Sequence, residues 1–158
     1  MADHLDIMNW RRIDARLTTS GQPTERQLQA LCDLGVRHVI NLGLHSHEQA
    51  LADEAGSVAA LGMAYVNIPV AFDAPDEADF EHFCAAMASV GEEPVHVHCI
   101  LNARVSAFVY RYRRDVLGVD EAQARASMET VWQPGGVWAS FIGDAEAVPS
   151  PHRYRQDG

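Results

Sequence analysis

The chain has 158 residues, 47% apolar and 22% charged, with a formal net charge of −10, a size and composition that fit one soluble globular domain with one core. The excess of acids argues against a nucleic-acid backbone as partner and obliges any anion site to work through short-range donors. No apolar run is long enough to span a bilayer, and the acidic start at 1–6 is unlike a secretory signal. Cys32, Cys84 and Cys99 form neither a disulfide framework nor a zinc pair, so the expected setting is cytoplasmic, with reduced thiols.

In chain order, residues 13–18 read as a short extended piece that runs into the turn Ser20-Gly21-Gln22-Pro23. Thr24 and Gln27 form a capping box for a helix with Leu28, Leu31 and Cys32 on one face, and Gly35 ends it. A strand over 36–42 follows. Ser46 and Gln49 form a second capping box, predicting a helix that runs to Leu61. Next come a strand over 63–68 stopped by Pro69, and a helix from Asp76 with Phe80, Phe83, Cys84 and Met87 at three-and-four spacing.

Residues 94–98 form the most buried-looking strand, and 103–117 are strongly helical. Two further helices are expected near 120–131 and 137–146, on either side of Gln133-Pro-Gly-Gly. Trp132, Trp138 and Phe141 read as core or rim packing, and Arg111, Arg113 and Arg114 as a solvated helix face. The body to residue 148 reads as one domain, with 149–158 a loosely held tail. Strands alternating with helices imply an α/β fold of three layers: a central, mainly parallel sheet of four or five strands, with helices on both faces. Ligands of such sheets bind beyond the carboxyl ends of the strands. The turn after His98 lies at that end.

A loop leaving a strand and entering a helix offers unpartnered backbone N–H groups to an anion, here those of Ile100, Leu101, Asn102 and Ala103. Asn102 tolerates the left-handed backbone that a tight curve needs. Cys99, at the start of the loop, meets the helix N-terminus and a guanidinium, both of which favour the thiolate. Arg104 offers a planar fork for two phosphate oxygens, and Ser106 is a candidate donor to the sulfur. A lone cysteine is more often a small buried hydrophobe. The clustering of His98, Cys99, Asn102, Arg104 and Ser106 between a strand and a helix favours an anion-facing nucleophile instead.

These residues resemble the signature of the protein tyrosine and dual-specificity phosphatase superfamily: His-Cys, five residues, Arg, then Ser or Thr. The likeness extends over about 13–116, through Thr19-Ser-Gly-Gln-Pro23, the strand 35–42 and Tyr65-Val-Asn-Ile-Pro-Val70. It is strongest to a bacterial branch related to the phosphatase-like domain found beside β-lactamase-like hydrolases. The spacing departs in one respect, because Arg104 lies five residues after Cys99 and Val105 holds the position six after it. Ser106, seven after, keeps the expected hydroxyl position. Either the arginine is displaced in an ungapped loop or the loop is one residue shorter.

The resemblance implies hydrolysis of a phosphate monoester, phosphotyrosine among the candidates, through a cysteinyl-phosphate. It implies that His98 orients the loop and that an aspartate on the segment 69–76 protonates the leaving group. Asp73 is the first candidate, with a plain turn residue as its other reading, and Asp76 sits where an N-cap belongs. The expected partner is a phosphate-containing small molecule or phosphoprotein, with no nucleic acid, membrane, cofactor or metal. His45, His47, His96 and His98 lack metal-ligand spacing. A Cys-x4-Arg loop also resembles that of some rhodaneses, which leaves sulfur transfer through a Cys99 persulfide, or plain phosphate or sulfate binding, as alternatives.

Overall fold

The structure, a computed structural model, describes residues 6–154. The first five residues and the last four, on which the reading of the start and part of that of the tail depend, lie outside them. A five-stranded sheet is built from β1 (Arg11–Arg12), β2 (Leu17–Ser20), β3 (His38–Asn41), β4 (Ala64–Asn67) and β5 (Val95–His98), in the order β1-β2-β5-β3-β4. The four strands β2, β5, β3 and β4 run parallel, and β1 is added antiparallel at the edge. This is the expected parallel sheet with its extra edge strand.

Alternation along the strands divides the interior into two layers. Ile40, Val95 and Val97 face a core shared with α3 (Glu77–Val90), α4 (Ala103–Arg111), α5 (Glu121–Glu129) and α6 (Gly136–Ile142). Val39 faces a smaller core with Leu28 and Leu31 of α1 (Glu25–Leu34) and Val58 of α2 (Glu54–Ala60). Among the described residues no helix is long and apolar enough to cross a membrane.

Local chemistry explains most element boundaries. The capping box of Thr24 and Gln27 forms in both directions, and Gly35 closes α1 at φ 108°. The second helix departs from the expectation, because it begins at Glu54 with Asp53 as its cap. Residues 44–50 form turns instead, the N–H of Gln49 donating to Nδ1 of His47 (3.0 Å) and that of Ala50 to the His47 carbonyl (3.0 Å). These bonds occupy the groups that a helix starting at Ser46 needs. The helix after Cys99 stays α-helical to Arg111 and widens into a π-helical turn, Tyr112–Val116.

The tail also differs from its reading. β6 (Trp132–Gln133) pairs antiparallel with β7 (Arg153–Tyr154), and the N–H of Gly136 reaches the carbonyls of Val148 and Ser150. The fully buried Trp132 is covered by His152 and by Tyr154, whose ring stacks on it at 5.5 Å. A large indole that needs a cover is what pins residues 149–154. The arginine reading is corrected as well: Arg113 is buried, and Arg111 lies 4.0 Å from the ring of Phe80 and bonds Glu77.

Candidate active site

Strand β5 delivers Cys99 to the carboxyl end of the sheet, 1% exposed. Asn102 follows at φ 73°, and α4 starts at Ala103 without a side-chain cap. Instead of capping, the Asn102 amide nitrogen donates to the Asn9 carbonyl (2.9 Å) and to Thr19 Oγ1 (3.1 Å), locking the curve of the loop.

Three consecutive peptide units are oriented by what holds their carbonyls. The Cys99 carbonyl lies 3.0 Å from Nδ1 of His98, that of Ile100 accepts the N–H of Gln22 (3.0 Å), and that of Leu101 accepts the Asn9 amide (2.9 Å). All peptide bonds in the described residues are trans, so each captured carbonyl sends the N–H of the next residue the opposite way. Among the described residues no acceptor meets the N–H groups of Ile100, Leu101 or Asn102. The first turn of α4 adds further N–H groups, giving a nest of donors of the kind that suits an anion without a net positive charge on the chain.

Arg104 lines the same opening as Cys99, a cavity of about 270 Å³ that also has Leu44, His47, Phe72, Ile100, Leu101, Ala103 and Tyr154 in its walls. Its Nη1 donates to the Val70 carbonyl at 2.8 Å, and its guanidinium lies 5.9 Å from the centre of the Phe72 ring. The loop is therefore the shorter one, with its arginine on the cavity side. That has consequences for the two residues that follow. Successive helix positions turn by about 100°, so Val105 falls into the apolar core and Ser106 onto the far side. Ser106 Oγ donates to the Ala103 carbonyl (2.8 Å), and the residue lines a separate narrow crevice with Thr19 and Arg113. The structure does not bring Ser106 to the sulfur.

The segment after β4 is held at three points. The N–H of Val70 bonds the Leu42 carbonyl, the Val70 carbonyl receives Arg104, and the Phe72 carbonyl receives Nε1 of Trp138 at 2.6 Å. Asp73 is exposed in the turn closed by the N–H of Ala74 on Ala71; it neighbours a wall residue and is not itself in the wall. Asp76 is the N-cap of α3, its Oδ1 accepting the N–H of Asp79 (2.8 Å).

Behind the loop lies a polar layer that the sequence reading passed over. His98 Nε2 is 2.5 Å from Oε2 of Glu54, both side chains being almost fully buried, and Oε1 of Glu54 accepts from Gln22 (2.9 Å). Burial works against ionisation of Glu54, yet its bonds to His98 and Gln22 outweigh that and hold its carboxyl below the usual range. A signal was present, since Leu51, Glu54 and Val58 fall at three-and-four spacing and put a glutamate on an apolar face. His96 beside it is driven well below the ordinary histidine value, by burial first and His98 second. Tyr154 is shifted upward by burial and by the sulfur of Cys99. No sequence pattern marks Tyr154, which reaches the cavity only through the β6–β7 pairing.

A family model described as DSP-PTPase phosphatase fused to NAD+ kinase matches residues 3–139. The chain belongs to this phosphatase family. A solved DUF442 structure from Shewanella putrefaciens CN-32, assigned there as a phosphatase, is 31% identical with a TM-score of 0.74, covering 95% of this chain and 93% of its own. A beta-lactamase hydrolase-like protein of Agrobacterium fabrum is 35% identical over 91 residues, 56% of this chain. The chain spans only 21% of that protein's length. The fold is shared with TpbA of P. aeruginosa, solved in complex with pTyr, at 22% identity and a TM-score of 0.66 over 94% of this chain and 83% of that one.

Proposed function

We propose that this phosphatase hydrolyses a phosphate monoester through a cysteinyl-phosphate on Cys99. The observation that carries the reading is the set of captured carbonyls, which turns the N–H groups of Ile100, Leu101 and Asn102 to the side opposite their bonds. The Cys99 thiolate attacks phosphorus while these amides, that of Ala103 and the Arg104 guanidinium hold the non-bridging oxygens. Asp73, in the turn that follows the wall residue Phe72, protonates the departing oxygen, and water then attacks phosphorus and frees the sulfur. Such a reaction proceeds without a metal.

Phe72 and Tyr154 provide aromatic walls, which supports an aryl phosphate such as phosphotyrosine as substrate, in keeping with the ligand seen in TpbA. Turnover of an aryl phosphate that resists chelators and disappears in Cys99→Ser is the expected result. Purified protein without turnover between acid and neutral pH would sink the proposal.

One observation favours a second reading, sulfur transfer. Arg104 reaches the cavity from five residues beyond Cys99, the spacing of a Cys-x4-Arg sulfurtransferase loop. Cyanide-dependent consumption of thiosulfate, with a persulfide on Cys99 by mass spectrometry, selects it over hydrolysis.

A further inference from the structure

We propose that the narrow crevice between α4, α5 and the edge of the sheet is a binding site for one monatomic anion, a halide such as chloride, held by Arg113 with Arg11 beside it. The crevice shares no wall residue with the Cys99 cavity, so the inference does not depend on the chemistry assigned there.

Ser106, Tyr110 and Arg113 follow at spacings of four and three, which puts them on one face of a helix. That face is packed: Ser106 and Tyr110 are buried, as are Ala124 and Met128 of α5 in the same walls. An apolar side chain is the ordinary occupant of such a position. An arginine stands there instead, 6% exposed, inside the π-helical turn Tyr112–Val116. Turns of that kind are rare and recur at functional positions.

What the guanidinium lacks is a counter-charge. Among the described residues its side chain makes one bond, from Nη1 to Ser127 Oγ (3.1 Å), and no carboxylate pairs with it. A guanidinium carries five N–H donors, so most of those on Arg113 are left over. Arg11, in the same walls, bonds only the uncharged oxygens of Trp10 and Thr130. Among the described residues no acid lines the crevice. Two cations therefore border one small space, and a buried charge without a partner is costly. Water satisfies the N–H groups without cancelling the charge; an anion does both.

The remaining polar groups are compatible with this occupant. Ser106 and Ser127 spend their hydrogens on the carbonyls of Ala103 and Gln123. Thr19 Oγ1 accepts from the Asn102 amide and has no acceptor of its own among the described residues, so its hydrogen is available to the anion. Arg113, Arg11 and Thr19 are thus the donors.

Size selects the ligand. The free space is about 10 Å³, on the order of one water-sized particle. A halide fits it and a tetrahedral oxyanion such as sulfate does not, whereas the Cys99 cavity offers about 270 Å³. The chain's net charge of −10 opposes any anion at long range, but salt at 0.1 M screens it beyond about 10 Å.

Chlorine NMR on the unaltered protein reads the binding directly. Protein-dependent broadening of the chloride line is expected, undiminished by excess sulfate. Arg113→Met is expected to weaken chloride binding about tenfold or more, the loss of a charge-assisted hydrogen bond. Apolar replacement of a buried ion commonly keeps or raises stability. In halide-free gluconate buffer the variant is therefore expected to unfold at no lower urea concentration than the unaltered protein, while chloride in place of gluconate raises the midpoint of the unaltered protein alone.

Broadening removed by sulfate, or equal broadening in Arg113→Met, overturns the proposal. If Arg113→Met does not fold, crystals of the unaltered protein decide, soaked in bromide at the concentration that half-saturates the chloride signal. Anomalous scattering beside Arg113 is the expected result. A water in its place, or a peak that appears only at far higher bromide and so marks an adventitious ion only, overturns the inference.

Discussion

Arg104 is bonded to the Val70 carbonyl at 2.8 Å, so the guanidinium that faces the cavity also tethers the segment leading to Phe72 and Asp73. Oxyanion-facing donors are worth about 10²–10³ in kcat. Arg104→Lys, which keeps the charge and loses the planar fork, is expected to lower kcat by that order with a smaller effect on KM. Moving the arginine to the more familiar spacing is expected to fail. In Arg104→Ala/Val105→Arg the new guanidinium enters a position that is 0% exposed in the main core, at a cost of several kcal/mol. Urea unfolding of the double variant reads this directly, and a stable, active double variant would contradict the placement of Arg104.

The two aspartates of the neighbouring segment separate by the kind of damage each causes. Asp76→Ala removes the cap of α3 and is expected to cost about 1 kcal/mol of stability with little change in kcat. Asp73→Asn leaves stability unchanged and lowers kcat by about 10²–10³ for alkyl esters, and by less for aryl esters whose leaving group needs no proton. A stability loss at Asp73 without a rate loss would reverse the assignment.

Tyr154 comes to the cavity from a strand of only two residues. Aromatic pairs contribute about 0.5–1.5 kcal/mol beyond their buried area. Tyr154→Ala is therefore expected to raise KM for aryl phosphates by about two- to tenfold and to leave alkyl phosphates nearly unaffected. Equal effects on both classes would show that Tyr154 supports the fold rather than the substrate.

His96 sets the acid limit of stability. Its folded-state value lies well below the ordinary 6.5, so below that pH the unfolded chain binds a proton that the folded chain refuses. The stability due to the neutral ring is complete above 6.5 and is lost as pH falls toward the depressed value, with a slope approaching about 1.4 kcal/mol per pH unit. The Glu54 carboxylate adds a second loss at lower pH, below the usual glutamate range. Urea titrations of His96→Gln against the unaltered protein are expected to show a flatter dependence just below 6.5, and equal slopes would refute the assignment.

The sheet, its edge strand and the Cys99 loop were legible because each rests on local patterns: alternation in β5, a capping box at Thr24, a left-handed asparagine before α4. The side of the helix to which Arg104 and Ser106 turn was not, because it depends on helix phase, which a one-residue change in the loop rotates by about 100°. The Ser46 and Gln49 capping box was misleading for a comparable reason. His47, one residue further on, takes up the Gln49 N–H with its own ring, a competition invisible in spacing alone. The order of the tail depends on covering Trp132 from a distance of about twenty residues, a tertiary effect that local polarity does not announce.

Gly21 never meets the cavity, yet a Cβ placed there would lie 2.4 Å from the Ile100 carbonyl oxygen. The backbone at this point acts as a mould against which the Cys99 loop is cast, and the mould has no slack. In a saturation scan scored on turnover, position 21 will therefore look as intolerant as Cys99, and its variants will be mistaken for lesions in the chemistry. A measurement of anion affinity would tell them apart, because a deformed mould loosens the ligand whereas a missing sulfur leaves its grip intact.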